Sequence, residues 1–275
     1  MASVFYILYD LYKNIFICPI CAKKLTANDG NLICENNHTF NISKKGVVAL
    51  QRRTQYYDSS IYTKELFESR KAFILSGVYD KLHTEIANII KNKFDNAFVL
   101  DIGSGEGSHL NGIIKKCEGI KGAIALDISK PAIDLASGYL ENGVLPIVGD
   151  CNNLPLMDKS VDVALDILSP LLISETFRVI KDNGIIIKVI PCENYLKEVR
   201  TALLKNEYTK TDEVLANIKQ KANIIKSIKV NYKCELTKEQ SDNLLKMTPL
   251  GANSSNKVEQ LHSVTIDLLV LVLAK

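Results

Sequence analysis

The chain has 275 residues, of which 47% are hydrophobic and 24% are charged, and its formal net charge is +3. These values exclude an intrinsically disordered chain, a collagen and a disulfide-stabilised miniprotein, and the charge is too small to indicate a nucleic-acid partner by itself. The seven cysteines are unevenly spread, and no cleavable signal pattern precedes them. We therefore expect a cytoplasmic protein without a disulfide framework.

The two ends of the chain are apolar, but neither has the length of a membrane span. Residues 1–17 are interrupted by Asp10 and Lys13, and the C-terminal run Val264–Ala274 contains Asp267. A spanning helix needs about 20 consecutive apolar residues. We expect the first segment to be an extension or an extra strand or helix on the body, the second to be a buried strand, and no membrane partner.

Three of the cysteines lie near a histidine at the start of the chain. Cys18 and Cys21 form a CxxC pair, and Cys34 and His38 follow as a second pair. Zn²⁺ prefers four thiolate or imidazole ligands in a tetrahedron, and this spacing predicts a small ribbon-like module around it. Because four protein ligands leave no open position, the predicted ion is structural. The alternatives are a chance cluster of buried thiols and a redox CxxC pair, for which no thioredoxin-like βαβ unit is predicted.

The segment around this cluster is basic. Residues 13–53 contain seven basic and two acidic side chains, so the local excess is larger than that of the whole chain. This asymmetry indicates a distinct N-terminal unit, residues 1–52, followed by a linker and helical segment, residues 53–95. A role in binding RNA phosphates is one interpretation of its cations, and a solvated charged face is the other. The cations concerned are Lys44, Lys45, Arg52 and Arg53.

Beyond about residue 64 the apolar residues recur at helical spacing, and beyond Asp95 short apolar runs alternate with helical segments. Alternation of this kind predicts βαβ units and a mainly parallel sheet, and the closeness of the last two runs predicts one reversed strand. The predicted class is therefore α/β, with a seven-stranded, Rossmann-like sheet over residues 96–275. The predicted strands are Ala97–Ile102, Gly122–Leu126, Val144–Val148, Val161–Ile167, Gly184–Ile190, Asn223–Tyr232 and Ser263–Leu273.

The ends of the first three predicted strands carry glycines and acids. The first is followed by a GxGxG turn instead of the dinucleotide GxGxxG, the second by an acid suited to two ribose hydroxyls, and the third by polar groups suited to an adenine edge. Together they predict S-adenosylmethionine as cofactor, whereas a glycine turn with surface acids is the alternative. The residues assigned to the cofactor in this way are Asp101, Gly103, Gly105, Gly107, Asp127, Ile128, Asp150, Cys151 and Asn152.

Several motifs resemble a known family. VLDIGSGEG, ALDIS and VIKDNGIII are similar to class I S-adenosylmethionine-dependent methyltransferases. CPIC with its later Cys and His, SRKAFILSGVYDKL and LLKMTPL resemble the bacterial large-subunit rRNA guanine-N1-methyltransferases from about Phe16 onwards. The resemblance implies methylation of a guanine N1 in a 23S rRNA hairpin near the macrolide-binding exit tunnel. It also implies a zinc module that binds RNA and a homodimer, and the family includes enzymes linked to macrolide resistance.

The resemblance also assigns individual residues. It places the zinc ligands on the three cysteines and the histidine described above, and it adds Tyr79 and Glu106 to the cofactor contacts. A further contact after the fifth strand, often a histidine in the family, falls on Tyr195 here. The Met-Thr-Pro motif at Met247 is present, but the aromatic residue that usually follows it is missing, and the chain has no tryptophan.

Methylation of guanine N1 requires that a proton leave, and Asp166 at the end of the fourth strand is the candidate general base; a structural hydrogen bond is the alternative. Cytosine C5 chemistry is disfavoured because Cys192 has no second cysteine beside it. His83, His109 and His262 are isolated in sequence, and of these His109 could approach the cofactor. The competing functions are a small-molecule or other RNA-base methyltransferase and a non-catalytic cofactor-binding rRNA-assembly protein.

Overall fold

The structure is a computed structural model that describes residues 9, 12, 14–52, 62–203, 211–248, 258 and 260–275. The predictions for Arg53 and Pro249 lie outside the described residues. The described strands are β1 (Leu25–Asn28), β2 (Asn31–Cys34), β3 (Thr39–Asn41), β4 (Val48–Leu50), β5 (Ala97–Ile102), β6 (Ile120–Asp127), β7 (Val144–Gly149), β8 (Val161–Ile167), β9 (Ile180–Pro191), β10 (Asn223–Glu235) and β11 (Ser263–Ala274).

From β5 onwards, most of the strands are separated by helices. No helix in the described part of the chain is both long and apolar enough to cross a membrane. The helices are α1 (Lys64–Phe73), a π-helical turn (Ile74–Val78), α2 (Asp80–Lys91), α3 (Ser108–Ile114), α4 (Lys130–Ala136), a 3-10 helix (Ser137–Asn142), α5 (Ile173–Val179), α6 (Lys197–Ala202), α7 (Thr211–Lys221) and α8 (Lys238–Met247).

A large mixed sheet has the order β10-β11-β9-β8-β5-β6-β7-β4. The seven predicted strands are confirmed as β5 to β11, and β11 is the predicted reversed strand, since it runs antiparallel to both β9 and β10. The strand order reverses beside β5, where crossovers leave on both sides. In sheets of this type ligands bind at the carboxyl ends of the strands at that point.

Two details of the sheet differ from the prediction. The sheet has an eighth strand, β4, which comes from the N-terminal unit and pairs in parallel with β7. β9 begins at Ile180 instead of Gly184, because an irregularity in its pairing with β8 accommodates the polar residues that resemble a turn. Short-range patterns do not contain either feature, since both depend on pairing with a distant strand.

The core is divided between the two faces of the sheet. Val99 packs on one face with residues of α2 and α3, whereas Phe98 and Leu100 pack on the other with residues of the N-terminal unit. All six residues of β5 are buried, as expected for a central strand that helices cover on both sides. The terminal run Val264–Ala274 lies in β11 and is largely buried, as predicted.

The described residues at the N-terminus pack on this body. The hydroxyl of Tyr9 donates to the carbonyl of Gly46 at 3.1 Å, and that of Tyr12 donates to the carbonyl of Lys121 at 3.0 Å. The Tyr12 ring stacks on Phe98 with 4.4 Å between centroids. The sheet face at β5 and β6 is therefore covered in part by aromatic side chains from the start of the chain.

A pair of histidines joins α2 to α3. His83 and His109 share a hydrogen bond of 2.9 Å between Nε2 and Nδ1. His83 is 2% exposed, and Gly112 leaves room for it, because a Cβ at Gly112 would lie 2.5 Å from its Nδ1. Burial lowers the pKa of His83 to about 4, although Asp80 nearby opposes the shift. Burial also lowers the pKa of His109 well below its usual range, so both rings are neutral at pH 7.

This pair predicts a loss of stability in mild acid. The unfolded chain protonates His83 near pH 6.5, whereas the folded chain does so only near 4. The free energy of unfolding should therefore fall as the pH drops through this window, by about 2 kcal/mol at pH 5 from this residue. We expect His83→Gln to flatten this pH dependence in urea titrations at pH 7 and pH 5. His262→Gln, at an exposed histidine, should leave it unchanged. An unaltered slope in His83→Gln would contradict the assignment.

Candidate functional site

A cavity of about 510 Å³ opens at the carboxyl ends of β5, β6, β7 and β8. It lies where the sheet topology predicts a ligand site. Gly105 and Gly107 belong to the adjoining loop but do not line the cavity. The residues assigned to the cofactor that do line it are Tyr79, Asp101, Gly103, Glu106, Asp127, Ile128, Asp150, Cys151, Asn152 and Tyr195.

The glycine turn after β5 forms one side of the cavity. Gly103 and Gly105 have φ values of 67° and 56°, in the left-handed region that favours glycine. At Gly103 a side chain is also excluded sterically, because its Cβ would lie 2.8 Å from the Cβ of Ser169. Ser169 itself donates to the carbonyl of Ile102 at 2.9 Å. The glycine therefore allows the loop after β8 to approach the end of β5.

Asp127 at the end of β6 fixes this turn. One carboxylate oxygen accepts from the backbone N–H of Gly105 at 2.9 Å, and the other from that of Ser129 at 2.8 Å. Burial raises the pKa of Asp127, and these two N–H groups oppose the rise. Each carboxylate oxygen has a second lone pair. Asp127 can therefore hold the loop and still accept hydrogen bonds from two ribose hydroxyls.

One wall of the cavity carries two side chains of opposite charge, Glu106 and Arg70. Glu106 is 1% exposed, and its Oε2 has no hydrogen-bond partner. Burial raises the pKa of Glu106, which Arg70 opposes. The guanidinium of Arg70 lies over the ring of Phe67 at 5.5 Å and makes no ion pair with any residue in the part of the chain that the structure describes. Arg70 is also the only lysine or arginine among the described cavity residues. This wall can therefore accept a zwitterionic group.

Arg70 is not among the residues predicted for the site, although its position in the sequence carries a signal. Phe67, Arg70 and Ile74 all line the cavity. Their spacing of three and four residues places them on one face of α1 and the π-helical turn. A cation on the apolar face of a helix was therefore visible in the sequence, but which surface that face covers depends on the tertiary structure.

Aromatic side chains form the far wall. The hydroxyl groups of Tyr79 and Tyr195 share a hydrogen bond of 2.7 Å, and His109 meets the Tyr79 ring edge-on at 4.9 Å between centroids. Burial raises the pKa of Tyr195 to about 12, against the effects of Tyr79 and Arg70, and it raises that of Tyr79 well above its usual range. Both phenols are thus neutral near pH 7 and offer hydrogen bonds rather than charge. His109, which is isolated in sequence, lines the cavity, as the sequence suggested.

The loop after β7 closes the remaining side. Asp150 accepts from the backbone N–H of Asn152 at 2.9 Å and from its side-chain amide at 3.1 Å. Asp150 is 5% exposed, so these two bonds lie largely out of contact with solvent. Backbone and amide groups here can meet the edge of an adenine ring.

Asp166, the candidate general base, is not among the described residues that line the cavity. It is fully buried on β8, where Lys188 lies opposite it on β9 and donates both to its carboxylate and to the carbonyl of Ser169. Burial raises the pKa of Asp166, and Lys188 opposes this rise. In this structure Asp166 joins the ends of two strands, and its role as general base stays a prediction.

The predicted metal ligands converge. The sulfur atoms of Cys18, Cys21 and Cys34 and a nitrogen of His38 all lie within 4.8 Å of one another. Cys21 and Cys34 are 3.7 Å apart at sulfur, and Nδ1 of His38 lies 3.5 Å from Cys18 and 3.4 Å from Cys34. A tetrahedron with zinc–sulfur bonds of about 2.3 Å has edges of about 3.8 Å. The donor set and its spacing therefore fit zinc.

The thiols of this cluster differ in acidity. Burial raises the pKa of Cys18 to about 11, whereas the backbone N–H of Lys23 lowers that of Cys21 to about 6. A divalent cation stabilises the thiolate form of every cysteine that it binds. All three thiols are therefore expected to be thiolates when the ion is bound.

Three of the four basic residues assigned to RNA, Lys44, Lys45 and Arg52, lie among the described residues of the N-terminal unit. Lys44 and Lys45 are exposed on the turn between β3 and β4. Arg52 is exposed as well, but its Nε donates to the carbonyl of Pro19 at 3.0 Å, within the CxxC loop. Arg52 therefore has a structural contact in addition to any role with RNA.

Comparison with known proteins agrees with this geometry. Residues 16–51 match the zinc-ribbon family described as "RlmA, N-terminal", and residues 99–184 match a methyltransferase domain. The chain is 33% identical to Bacillus subtilis YxjB, assigned to the 23S rRNA (guanine-N1)-methyltransferases, over 94% of this chain and 96% of YxjB. It is 31% identical to the 23S rRNA (guanine(748)-N1)-methyltransferase of Streptomyces fradiae, over 68% and 66% of the two chains.

A Micromonospora griseorubida protein assigned to the same activity is 24% identical over 84% of this chain and 85% of its own. The zinc-ribbon match coincides with the cysteine cluster, and the methyltransferase match contains the glycine turn and Asp127. The cavity offers groups for each part of S-adenosylmethionine. The chain therefore belongs to the 23S rRNA (guanine-N1)-methyltransferase family, with a zinc ribbon and a class I, S-adenosylmethionine-dependent methyltransferase fold.

Proposed function

We propose that this protein transfers a methyl group from S-adenosylmethionine to N1 of a guanine in a hairpin of 23S rRNA. The observation that carries the proposal is the 33% identity to YxjB over 94% of the chain. The cavity supports it, because its acids, backbone donors and aromatic rings suit an adenosine and a charged amino-acid group. S-adenosylmethionine supplies an electrophilic methyl group on a sulfonium when it is bound.

In this proposal the cofactor's three parts meet three walls. The loop Asp150–Asn152 receives the adenine, Asp127 accepts the ribose hydroxyls, and the glycine turn lets the backbone approach the cofactor closely. The carboxylate of the methionine group pairs with Arg70, and its ammonium pairs with the unsatisfied oxygen of Glu106. Burial strengthens such charge-assisted hydrogen bonds relative to those in water.

The guanine enters from a neighbouring cavity of about 600 Å³. Leu168, Ser169, Pro170 and Tyr195 line both cavities, so they form the partition at which the two reactants meet. A base must leave its stack to reach such a site. Methyl transfer is then mainly a matter of holding two reactants in line away from water, which the packed loops after β8 and β9 provide.

The RNA contacts and the assembly complete the proposal. Lys44, Lys45 and Arg52 contact phosphates of the hairpin, because they are exposed cations on the zinc ribbon. The protein acts as a homodimer in the cytoplasm, as the family resemblance implies.

The direct test is to incubate the zinc-loaded protein with labelled S-adenosylmethionine and unmodified 23S rRNA and then to map the label. We expect one methylated guanine, whose N1 methyl blocks Watson–Crick pairing and stops reverse transcription. Label on another base atom would require a different acceptor chemistry. Label on metabolites alone would favour a small-molecule methyltransferase, and cofactor binding without any transfer would favour an assembly protein.

Arg70→Met should weaken binding of S-adenosylhomocysteine by about ten- to a hundred-fold, which corresponds to one lost charge-assisted bond. Binding of 5′-methylthioadenosine, which lacks the amino-acid group, should not change. Calorimetry on both ligands separates this role from a general disturbance of the cavity. Lys71→Met is the matched control, since Lys71 is the next cation on α1 and lies over Tyr139 outside the cavity. Equal losses for the two ligands would refute the assignment.

Asp166→Asn should lower the free energy of unfolding by about 3–5 kcal/mol, because it leaves Lys188 buried without its partner. Urea denaturation measures this loss. Asp182→Asn is the control, since Asp182 and its partner Lys159 are both exposed and such pairs contribute about 0–1 kcal/mol. Full stability with complete loss of methyl transfer would restore Asp166 as the general base.

A further inference from the structure

The N-terminal unit packs against one wall of the cofactor cavity. Strand β4 pairs in parallel with β7, and its last residue, Leu50, lies opposite Gly149. Gly149 and the three residues after it line the cavity. The edge strand therefore ends level with the loop that receives the adenine in the proposed function.

The metal-binding loop makes a second contact with this wall, through hydrogen bonds. The carbonyl of Pro19, between the ligands Cys18 and Cys21, accepts from the side-chain amide of Asn153 at 3.4 Å and from Nε of Arg52 at 3.0 Å. Asn153 follows the cavity wall immediately, and its own N–H donates to the carbonyl of Asp150 at 3.1 Å. Only one side chain thus separates the zinc loop from the wall.

The backbone on either side of this contact is also paired. The N–H of Ile17 donates to the carbonyl of Pro155 at 3.0 Å, and the N–H of Met157 donates to the carbonyl of Ile15 at 2.7 Å. Phe16 is fully buried in the same core as Leu156. The segment that enters the zinc site and the segment that leaves the cavity wall therefore form one packed unit.

We propose that the zinc ribbon orders the adenosine wall of the cofactor cavity, so that zinc binding and cofactor binding strengthen each other, with Asn153 as the positioning residue between them. This inference rests on the cofactor placement in the proposed function. Zinc restricts the CxxC loop through Cys18 and Cys21, two of its four ligands, and thereby fixes the acceptor at Pro19. The loop Asp150–Asn152 then loses less conformational freedom when the cofactor binds.

Coupling of this kind is reciprocal. Calorimetry with S-adenosylhomocysteine should give a dissociation constant about ten-fold higher for the chelator-treated full chain than for the zinc-loaded chain. Saturating S-adenosylhomocysteine should raise the affinity for zinc by the same factor, measured by competition with a zinc-binding dye. Equal affinity for S-adenosylhomocysteine in the two forms would overturn the inference.

A second variant, Asn153→Ala, tests the coupling without removing zinc, so its outcome can be read even if the zinc-free ribbon unfolds. In the zinc-loaded variant we expect weaker binding of S-adenosylhomocysteine, and we expect saturating ligand to change the zinc affinity by less than about two-fold. Asn41→Ala, at an exposed amide on β3 of the same ribbon, should retain the wild-type factor. A wild-type factor in Asn153→Ala would refute the role of Asn153. Absence of S-adenosylhomocysteine binding to the zinc-loaded wild type would contradict the proposed cofactor site itself.

Discussion

The carboxylate of Asp127 is the interaction on which the site depends. It accepts one N–H from the glycine turn after β5 and one from the start of α4, so it joins two crossovers that leave neighbouring strands. The N–H groups of Gly103 and Ser104, which both donate to the carbonyl of Leu126, assist it in holding the glycine turn to the end of β6. The same carboxylate is placed to accept the ribose hydroxyls. In the proposed function, loop order and cofactor recognition therefore use one side chain.

The charges of the cavity explain why a cationic ligand suits it. Asp101 and Glu106 are buried and Asp127 is half-buried, and removal from water raises the pKa of each. Arg70 is the only lysine or arginine among the described cavity residues, so their negative charge is only partly compensated. S-adenosylmethionine brings a sulfonium and an ammonium and only one carboxylate. Its binding would relieve the repulsion among the acids while Arg70 pairs with the carboxylate.

The N-terminal unit is part of the catalytic body as well as a candidate RNA-binding element. Its strand β4 extends the large sheet, and Leu25, Leu32 and the ligand Cys34 pack in the same core as Leu126 of β6. A zinc ribbon that stood apart could contact RNA without affecting the cofactor. Here the shared sheet and core join the metal-ligand cluster, the exposed cations and the cofactor wall in one packed unit.

The sequence by itself determined the strands β5 to β11, the presence of one reversed strand and the cluster of Cys18, Cys21, Cys34 and His38. It also predicted twelve cofactor residues, of which ten line one cavity. Alternating or continuous apolar runs, glycine turns and the spacing of metal ligands are local patterns. They can be recognised without knowing which distant segment packs against them. Only the tertiary structure decided the eighth strand, the pairing of His83 with His109, the burial of Asp166 against Lys188 and the presence of Arg70 in the cavity. Each of these depends on contacts between segments far apart in the chain, and side-chain chemistry alone does not specify which segment will be its neighbour.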